Sequence, residues 1–278
     1  MSAPTGQGKS LYAGSAKGAR AAAGSLSPLR SGTGYWLSSL RAMFRFELGR
    51  ARQWAGMMVI VQALMGAGMA LMYGFFYPHV TPARALYIAT GAPTLALVPL
   101  GFVMVPSGIT LERLKGTFDY VWSLPAPRSA QATAAFGLYS LISLPGALLA
   151  LVVAAWRYGA HLSLSPLLIP AVFVSAVMAV ALGYGMALVI SNPMVMNVVA
   201  NALVFFVLLF SPIVFPASQL PRWLYDLHRG LPFYNMAVVI RAGLTRGIAQ
   251  DVTTAFVVLG AWALAGCATT AWAVGRRR

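Results

Sequence analysis

The sequence predicts an all-α membrane protein with six transmembrane helices, an N-terminal interfacial amphipathic helix, and re-entrant helices between spans five and six. Two observations support this class. First, 59% of the 278 residues are hydrophobic and only 9% are charged, whereas about 25% of the residues in a soluble domain are charged. Second, the charges lie in short segments. The uncharged intervals between them match the ~20 residues that a helix needs to cross a bilayer.

Charges and turn signals set the limits of the predicted spans. The interval between Arg157 and Arg222 is too long for one crossing, and the turn signal Ser191-Asn192-Pro193 divides it. The predicted spans are 54–77, 85–110, 132–155, 165–190, 198–215 and 252–274. The second span contains three prolines, Pro93, Pro99 and Pro106. These prolines either produce kinks that neighbouring helices accommodate or bend the helix so that it lines a cavity.

The distribution of basic residues predicts the orientation. With six spans both termini lie on one side, and that side holds fourteen of the twenty Lys and Arg residues. The positive-inside rule therefore predicts a multi-pass plasma-membrane protein with both termini cytoplasmic. The net charge of +15 then indicates attraction to anionic membrane lipids. It does not indicate nucleic acid, because the basic residues lie in loops and at the ends. Residues 1–34 are predicted to be a disordered basic cytosolic tail.

Residues 35–53 are predicted to form the interfacial helix. Its apolar residues recur with helical spacing, at Leu37, Leu40, Phe44, Leu48 and Ala51. Arginines occupy the opposite face, which is typical of a helix lying among lipid headgroups. Glu47 is the exception, because it falls within the apolar arc, and Arg50 is placed to pair with it. The helix is either a plain anchor or also contacts a cytosolic partner, with Glu47 facing that partner.

Residues 111–128 form a charged island between the second and third spans. Charges are costly inside the bilayer, so the island is predicted to be a loop in water. Gly116 offers a break, and Thr117 can cap the next helix. That helix, short and amphipathic from Phe118 to Leu124, is expected to end at the prolines. The alternative is an ordinary basic loop, but the mixed charges and the aromatic residues favour a structured surface.

Residues 216–250 are too polar to form a span and too apolar to form a free loop. Short helices dipping back into the outer leaflet are predicted, with Pro212 and Pro216 ending the fifth span. One helix face is expected to consist of Trp223, Leu224, Leu227 and Leu231.

Two sets of residues carry a resemblance to a known family. In the island they are Glu112, Arg113, Gly116, Thr117, Leu124 and Pro125. In the outer region they are Ser211-Pro212, Pro216, Leu220-Pro221, Trp223-Leu224, Pro232 and Arg241. These residues, and the order of the parts from Tyr35 onward, resemble the permease subunit of type-2 ABC exporters, which export drugs, lipids or polysaccharides. Leu114 departs from the pattern, since the family often has a second acidic residue there.

The resemblance implies a subunit without ATPase activity, paired with a second permease copy or a paralogue and with two cytosolic ATPase subunits. ATP and Mg would bind to those subunits, and this chain would bind no cofactor. The island would be the coupling helix, seated in an ATPase cleft beside the connecting helix. The expected coupling residues are Glu112, Arg113, Gly116, Thr117, Phe118, Asp119, Trp122 and Glu47. Closure of the ATPases would open a cavity between the second and fifth spans outward.

The fifth span carries the candidate cavity residues. Asn197 and Asn201 are one turn apart, and Phe205 and Leu208 continue their stripe. They either join helices by hydrogen bonds of about 1 kcal/mol each or face the cavity, together with Phe102 and Met104 of the second span. An uncharged apolar cavity suits a hydrophobic or amphipathic drug, lipid or peptide. A polysaccharide or glycolipid exporter remains the alternative substrate class.

Other activities are less consistent with the sequence. Gly6-Gln-Gly8-Lys9-Ser10 resembles the end of a P-loop, but Ala3 stands where the motif requires glycine. The three histidines fall in separate predicted loops, so neither catalysis nor a metal site is expected. All five acidic residues fall outside the predicted spans, which disfavours an ion-coupled carrier. A non-transporting membrane assembly factor, whose island docks another partner, remains possible.

Overall fold

The computed structural model describes residues 32–76, 81–249 and 251–276. The described part is helical and contains no strand. Six helices are long and apolar enough to cross a membrane, which confirms the predicted class. The tail and the P-loop-like segment lie outside the described residues, except for the last residues of the predicted tail. The six spans are α2 (Ala55–Phe76), Pro82–Leu114, α6 (Arg128–Tyr158), α7 (Leu168–Val189), α8 (Pro193–Phe210) and α11 (Val252–Gly275).

Four further α-helices complete the described fold. Helix α1 precedes the first span, α5 lies between the second and third spans, and α9 and α10 lie between the fifth and sixth. Their bounds are Thr33–Ala51 for α1, Thr117–Ser123 for α5, Arg222–Gly230 for α9 and Pro232–Leu244 for α10. A 3₁₀ turn, Ala217–Gln219, precedes α9. That α9 and α10 enter the bilayer stays a prediction.

The second span is the most buried of the six, and it changes its winding at the middle. Helix α3 (Pro82–Pro99) passes into a π-helical turn (Leu100–Met104) and then into α4 (Val105–Leu114). Proline has no N–H to donate, so Pro106 removes one helical hydrogen bond and favours a wider turn. Neighbouring helices pack around this turn, which agrees with the first interpretation of the prolines, as accommodated kinks.

Glycines bring the second and fourth spans into close contact. A Cβ added to Gly183 would lie 1.8 Å from the carbonyl oxygen of Gly101, and one added to Gly101 would lie 2.5 Å from the Cβ of Ala179. The π-helical turn thus packs directly on the backbone of α7. The fourth span also packs along the sixth, and the third packs on the first and second.

The fifth span lies at the edge of the bundle and packs mainly against the second span. It runs from Pro193 to Phe210, so the predicted bounds of 198–215 were wrong. The side chain of Asn192 accepts hydrogen bonds from the N–H groups of Met194 (2.9 Å) and Val195 (3.4 Å). This N-cap, followed by proline at the first helical position, starts the helix earlier than the apolar run suggests. The helix also ends before Pro212 and Pro216 are reached.

The second span continues further than predicted. It extends through Leu114, so Glu112 lies on its last turn and not in a loop. Gly116 then turns the chain with a φ of 70°, a left-handed conformation that glycine adopts without strain. Thr117 is the first residue of α5, and α5 has no side-chain cap, so the predicted capping by Thr117 was wrong.

Candidate functional site

A charged cluster joins α1 to the end of the second span. The Nη2 of Arg50 donates to Oε2 of Glu47 at 2.6 Å and to Oε1 of Glu112 at 2.9 Å. The pairing of Glu47 with Arg50 was expected, whereas the contact with Glu112 was not. Burial acts to lower the pKa of Arg50, but the two carboxylates outweigh it and hold the pKa above its usual value. Arg50 therefore stays charged and holds both acids.

Glu47 does not face a cytosolic partner. Its side chain is buried, at 8% exposure, in α1, which packs along the third span. The prediction that Glu47 contacts another protein was therefore wrong. Elsewhere in α1, Leu37 and Leu48 are exposed while Ser39 is buried. Exposed leucines are compatible with an apolar face towards lipid, and the interfacial position of α1 stays a prediction.

Helix α5 is held against the bundle by one of its faces. Phe118 and Val121 are buried, and the rings of Phe118 and Trp122 lie 4.7 Å apart between centroids. The Nε2 of Gln131, in the third span, donates to the carbonyl oxygen of Val121 at 3.0 Å. The guanidinium of Arg113 lies 5.2 Å from the centre of the Phe118 ring. This face is therefore internal, and the predicted role of Phe118 as a partner contact was wrong.

The opposite face of α5 is the exposed one. Of the predicted coupling residues, Gly116 and Asp119 are exposed, and Thr117 and Trp122 are half-buried. Two exposed residues were missed, Leu114 at 69% exposure and Tyr120 at 61%. They are adjacent to Lys115 and Asp119 in the chain. Helical spacing counted from Thr117 would have placed Tyr120 opposite Phe118, because residues two apart lie on different sides of a helix.

The candidate cavity residues lie together on an exposed face formed by the second and fifth spans. The Oγ of Ser107 donates to Oδ1 of Asn197 at 3.0 Å, which joins the two spans. The Nδ2 of Asn201 donates to the carbonyl oxygen of Asn197 at 2.8 Å. Asn197, Asn201 and Phe205 are exposed, and Leu208 and Met104 are half-buried. Ser107 is a member of this site that the sequence prediction missed.

Phe102 does not belong to this face. It is 1% exposed, and its ring packs edge-on against Phe233 of α10, with 5.1 Å between centroids. Its proposed place in the cavity was wrong. The π-helical turn rotates the residues after Pro99 relative to a regular helix, so positions on the second span cannot be extrapolated across it from the 3.6-residue period.

A buried arginine fastens the outer segment to the second span. Arg241 of α10 is 4% exposed. Its Nε donates to Oγ1 of Thr90 at 3.1 Å, and its Nη2 donates to the carbonyl oxygen of Ile213 at 2.5 Å. The guanidinium also lies 4.2 Å from the centre of the Tyr87 ring. Three parts of the chain therefore meet at one side chain.

The rest of the outer segment differs in part from the prediction. Pro212 is buried, Pro216 is half-buried and Pro221 is exposed. On α9, Trp223 and Leu227 are 68% and 48% exposed, while Leu224 and His228 are buried; the predicted apolar face towards the outer leaflet stays a prediction. His228 stacks on Phe206 of the fifth span, with 5.9 Å between centroids. These contacts connect α9 to the fifth span.

A search of curated proteins gives no match to this chain. The family model described as ABC-2 type transporter matches residues 38–245. The match begins within α1, includes the first five spans and the island, and ends at the close of α10. It therefore contains the charged cluster, the exposed face of the second and fifth spans, and Arg241. The chain belongs to the ABC-2 type transporter family and is a membrane-spanning permease of that family.

Proposed function

We propose that this chain is the permease subunit of an ATP-driven exporter that moves a hydrophobic or amphipathic small molecule, such as a drug, lipid or peptide, out of the cytoplasm. Its family consists of transmembrane subunits of ABC transporters, which associate with ATPase subunits. The substrate class and the direction of transport are the new parts of the proposal.

The exposed asparagines of the fifth span are the observation that carries the proposal. Asn197 and Asn201 lie on a surface whose other members, apart from Ser107, are apolar; they include Val198 and Phe205 at 63% exposure each. The bonds to Ser107 and within the helix use one polar atom of each amide, and they leave Asn197 Nδ2 and Asn201 Oδ1 without a partner among the described residues. A polar atom facing hydrocarbon without a hydrogen bond is unfavourable. This surface is therefore expected to face another protein chain or an aqueous, substrate-holding cavity. A second permease copy placed opposite it would enclose such a cavity.

The side chains on this face of the second and fifth spans suggest the class of substrate. The described residues of this face provide amides, a hydroxyl and apolar side chains, and no charged group. Such a surface favours a molecule with a large apolar part and a few polar groups. It offers no cation for a highly anionic substrate.

The island and α1 are proposed to receive the movement of two cytosolic ATPase subunits, which bind ATP and Mg. Two hydrogen bonds near the described ends of the chain support a position of α1, the island and the end of the sixth span on the same side of the bundle. The Tyr35 hydroxyl donates to the carbonyl oxygen of Pro125 at 2.5 Å, and Nη1 of Arg128 donates to that of Val274 at 3.2 Å. Helix α1, the island and the end of the sixth span thus lie at one end of the bundle. We propose that this end faces the cytoplasm of the cell, across the plasma membrane.

The test is transport by the assembled complex. The full chain is purified from native membranes with its co-purifying ATPase and reconstituted in vesicles. Uptake of rhodamine 6G, a hydrophobic cationic dye, is then followed with ATP added outside. We expect ATP-dependent accumulation in vesicles that expose the ATPase. Asn201→Leu is expected to reduce it severalfold, while Leu264→Val, at an exposed position of the sixth span, leaves it unchanged.

Two outcomes would contradict the proposal. Absence of any co-purifying ATPase would remove its energy source. ATP hydrolysis without uptake of rhodamine 6G, combined with ATP-dependent movement of a lipid-linked glycan in the same vesicles, would replace the proposed substrate with the polysaccharide class.

A further inference from the structure

A large apolar groove lies between the third, fourth and sixth spans. Its volume is about 1260 Å³. The third span lines it from Arg128 to Leu151, the fourth span contributes its first half, and the sixth contributes its last turns. Ile240 and Leu244 of α10 also line it. Pro93 of the second span also lines it, but none of the described lining residues comes from the first or fifth span, and the groove does not include the exposed asparagines of the proposed substrate path.

The size and side opening of the groove suit a lipid. Its volume exceeds the roughly 300–1,000 Å³ of pockets that hold drug-sized ligands. Leu141, Leu148 and Phe173 line it and are 51%, 61% and 61% exposed, so it opens laterally, where the bilayer surrounds the bundle. Acyl chains could enter without leaving the hydrocarbon region.

Acyl chains alone would not be selected, because lipid tails are as apolar as the leucines that they would contact. A preference must come from the headgroup. Among the described residues that line the groove, Arg128 alone is charged, and it stands at the end of the bundle that carries the island. The hydroxyl-bearing residues Ser129 and Thr133 line the same end.

Arg128 is positioned by neutral groups. One N–H donates to the carbonyl oxygen of Val274, and the guanidinium lies 5.3 Å from the centre of the Trp122 ring. In the described part of the chain, no carboxylate lies within 4.0 Å of it; the described ion pairs involve other arginines. A guanidinium has five N–H donors and binds phosphate oxygens in pairs. Arg128 is therefore held in place with its charge uncompensated and with donors left for a ligand.

We propose that this groove binds one anionic phospholipid, with its acyl chains between the third and sixth spans and its phosphate on Arg128. Basic pockets between transmembrane helices bind anionic headgroups in this way. Such a lipid fills the space between two spans that are joined by the Arg128–Val274 hydrogen bond.

The test compares two lipids that differ in headgroup. The full-length permease, in detergent, is titrated with dioleoylphosphatidylglycerol or dioleoylphosphatidylcholine, and bound lipid is counted by native mass spectrometry. We expect one phosphatidylglycerol per chain to be retained, with an affinity at least threefold above that for phosphatidylcholine. Equal retention of the two lipids by the wild-type chain would overturn the proposal without the need for any variant.

Variants locate the site. Arg128→Gln is expected to weaken phosphatidylglycerol binding about tenfold and to remove the preference. Leu144→Trp, which fills the groove, is expected to weaken binding of both lipids. The matched controls are Arg157→Gln, near the other end of the same helix, and Leu149→Trp, a similarly exposed leucine that does not line the groove. Both should bind as the wild type does.

The same spectra distinguish another occupant. If the groove instead seats a second copy of the chain, Leu144→Trp will convert dimers to monomers and leave lipid retention unchanged. That result, or loss of lipid in the two control variants equal to that in Arg128→Gln, would overturn the proposal.

Discussion

Arg50 and Glu112 form an ion pair, 2.9 Å between Nη2 and Oε1, that ties helix α1 to the last turn of the second span. Glu47 shares the same guanidinium, so two carboxylates are held together by one cation. Without Arg50 they would repel each other in a half-buried place. We infer that α1, the end of the second span and the adjoining α5 move as one body.

The first prediction concerns this shared cation. Glu112→Ala is expected to abolish substrate-stimulated ATP hydrolysis by the complex while leaving membrane insertion intact. The reason is that α1 loses its link to the second span, although Arg50 keeps Glu47. Stimulated ATPase activity and the amount of chain in the membrane fraction are the measurements. Glu112→Gln keeps an acceptor oxygen for Arg50 and should retain part of the stimulation. Unchanged stimulation in Glu112→Ala would show that the pair has no coupling role.

The second prediction concerns the exposed residues at the end of α4 and on α5. Leu114 and Tyr120 are expected to contact the ATPase, because they are large, apolar and exposed beside the charged Lys115 and Asp119. Central aromatic and apolar residues commonly dominate binding at interfaces. Tyr120→Ala should weaken ATPase binding about tenfold, a change of about 1.4 kcal/mol. Leu114→Ala should act in the same direction.

Co-purification at increasing salt and detergent concentration measures this effect. Leu164→Ala is the matched control, because Leu164 is 73% exposed but lies in the connection between the third and fourth spans, away from the island. ATPase recovery that is equal in Tyr120→Ala and Leu164→Ala would place the docking surface elsewhere.

The sequence predicts those features that depend on the length and composition of a segment. The six spans follow from the uncharged intervals and one turn signal, and the pairing of Glu47 with Arg50 follows from their spacing on one helix. The sequence does not predict which side of a short helix faces inward. Helix α5 has seven residues, and its residues Phe118 and Tyr120 lie on opposite sides. The sequence pattern therefore does not show which of the two sides packs on the bundle and which is free to bind a partner.

The remaining differences between the sequence predictions and the structure result from tertiary packing. Phe102 was predicted to line the cavity, but after the π-helical turn its ring packs against Phe233 of α10, and such a turn has no simple sequence signature. The start of the fifth span could have been predicted from the sequence, because Asn192-Pro193 is an N-cap followed by proline. The contact between Arg50 and Glu112 depends on how α1 lies on the bundle, which local periodicity does not contain.

The third prediction concerns the close contact of the second and fourth spans. Gly183→Ala places a methyl group where the carbonyl oxygen of Gly101 lies, at 1.8 Å. The spans must separate, and overpacking of this kind typically costs about 1–3 kcal/mol. We expect a lower midpoint of thermal unfolding in detergent and reduced expression. Gly68→Ala is the control, since its Cβ would meet nothing within 4 Å and alanine favours the helix. Equal unfolding midpoints would mean that the two spans are not in direct contact.

The last prediction concerns Arg241, which holds Thr90 of the second span and the carbonyl oxygen of Ile213 together. Arg241→Met keeps much of the apolar volume but leaves both oxygen atoms without this donor. Hydrogen bonds to charged groups contribute about 1.5–3 kcal/mol, so we expect the midpoint of thermal unfolding to fall by several degrees. Arg241→Lys should recover only part of the loss, because a lysine ammonium lacks the planar fork that reaches both acceptors.

Arg246→Met is the control for this prediction, because Arg246 is exposed just beyond the same helix and its removal changes the net charge equally. Thr90→Val separates the two bonds: it removes one acceptor but leaves Ile213, so its effect should be smaller than that of Arg241→Met. If Arg241 serves only as a charge in the outer segment, Arg241→Lys will unfold at the wild-type temperature. Recovery of that kind would refute its role as a clamp between α10, the second span and the chain after the fifth.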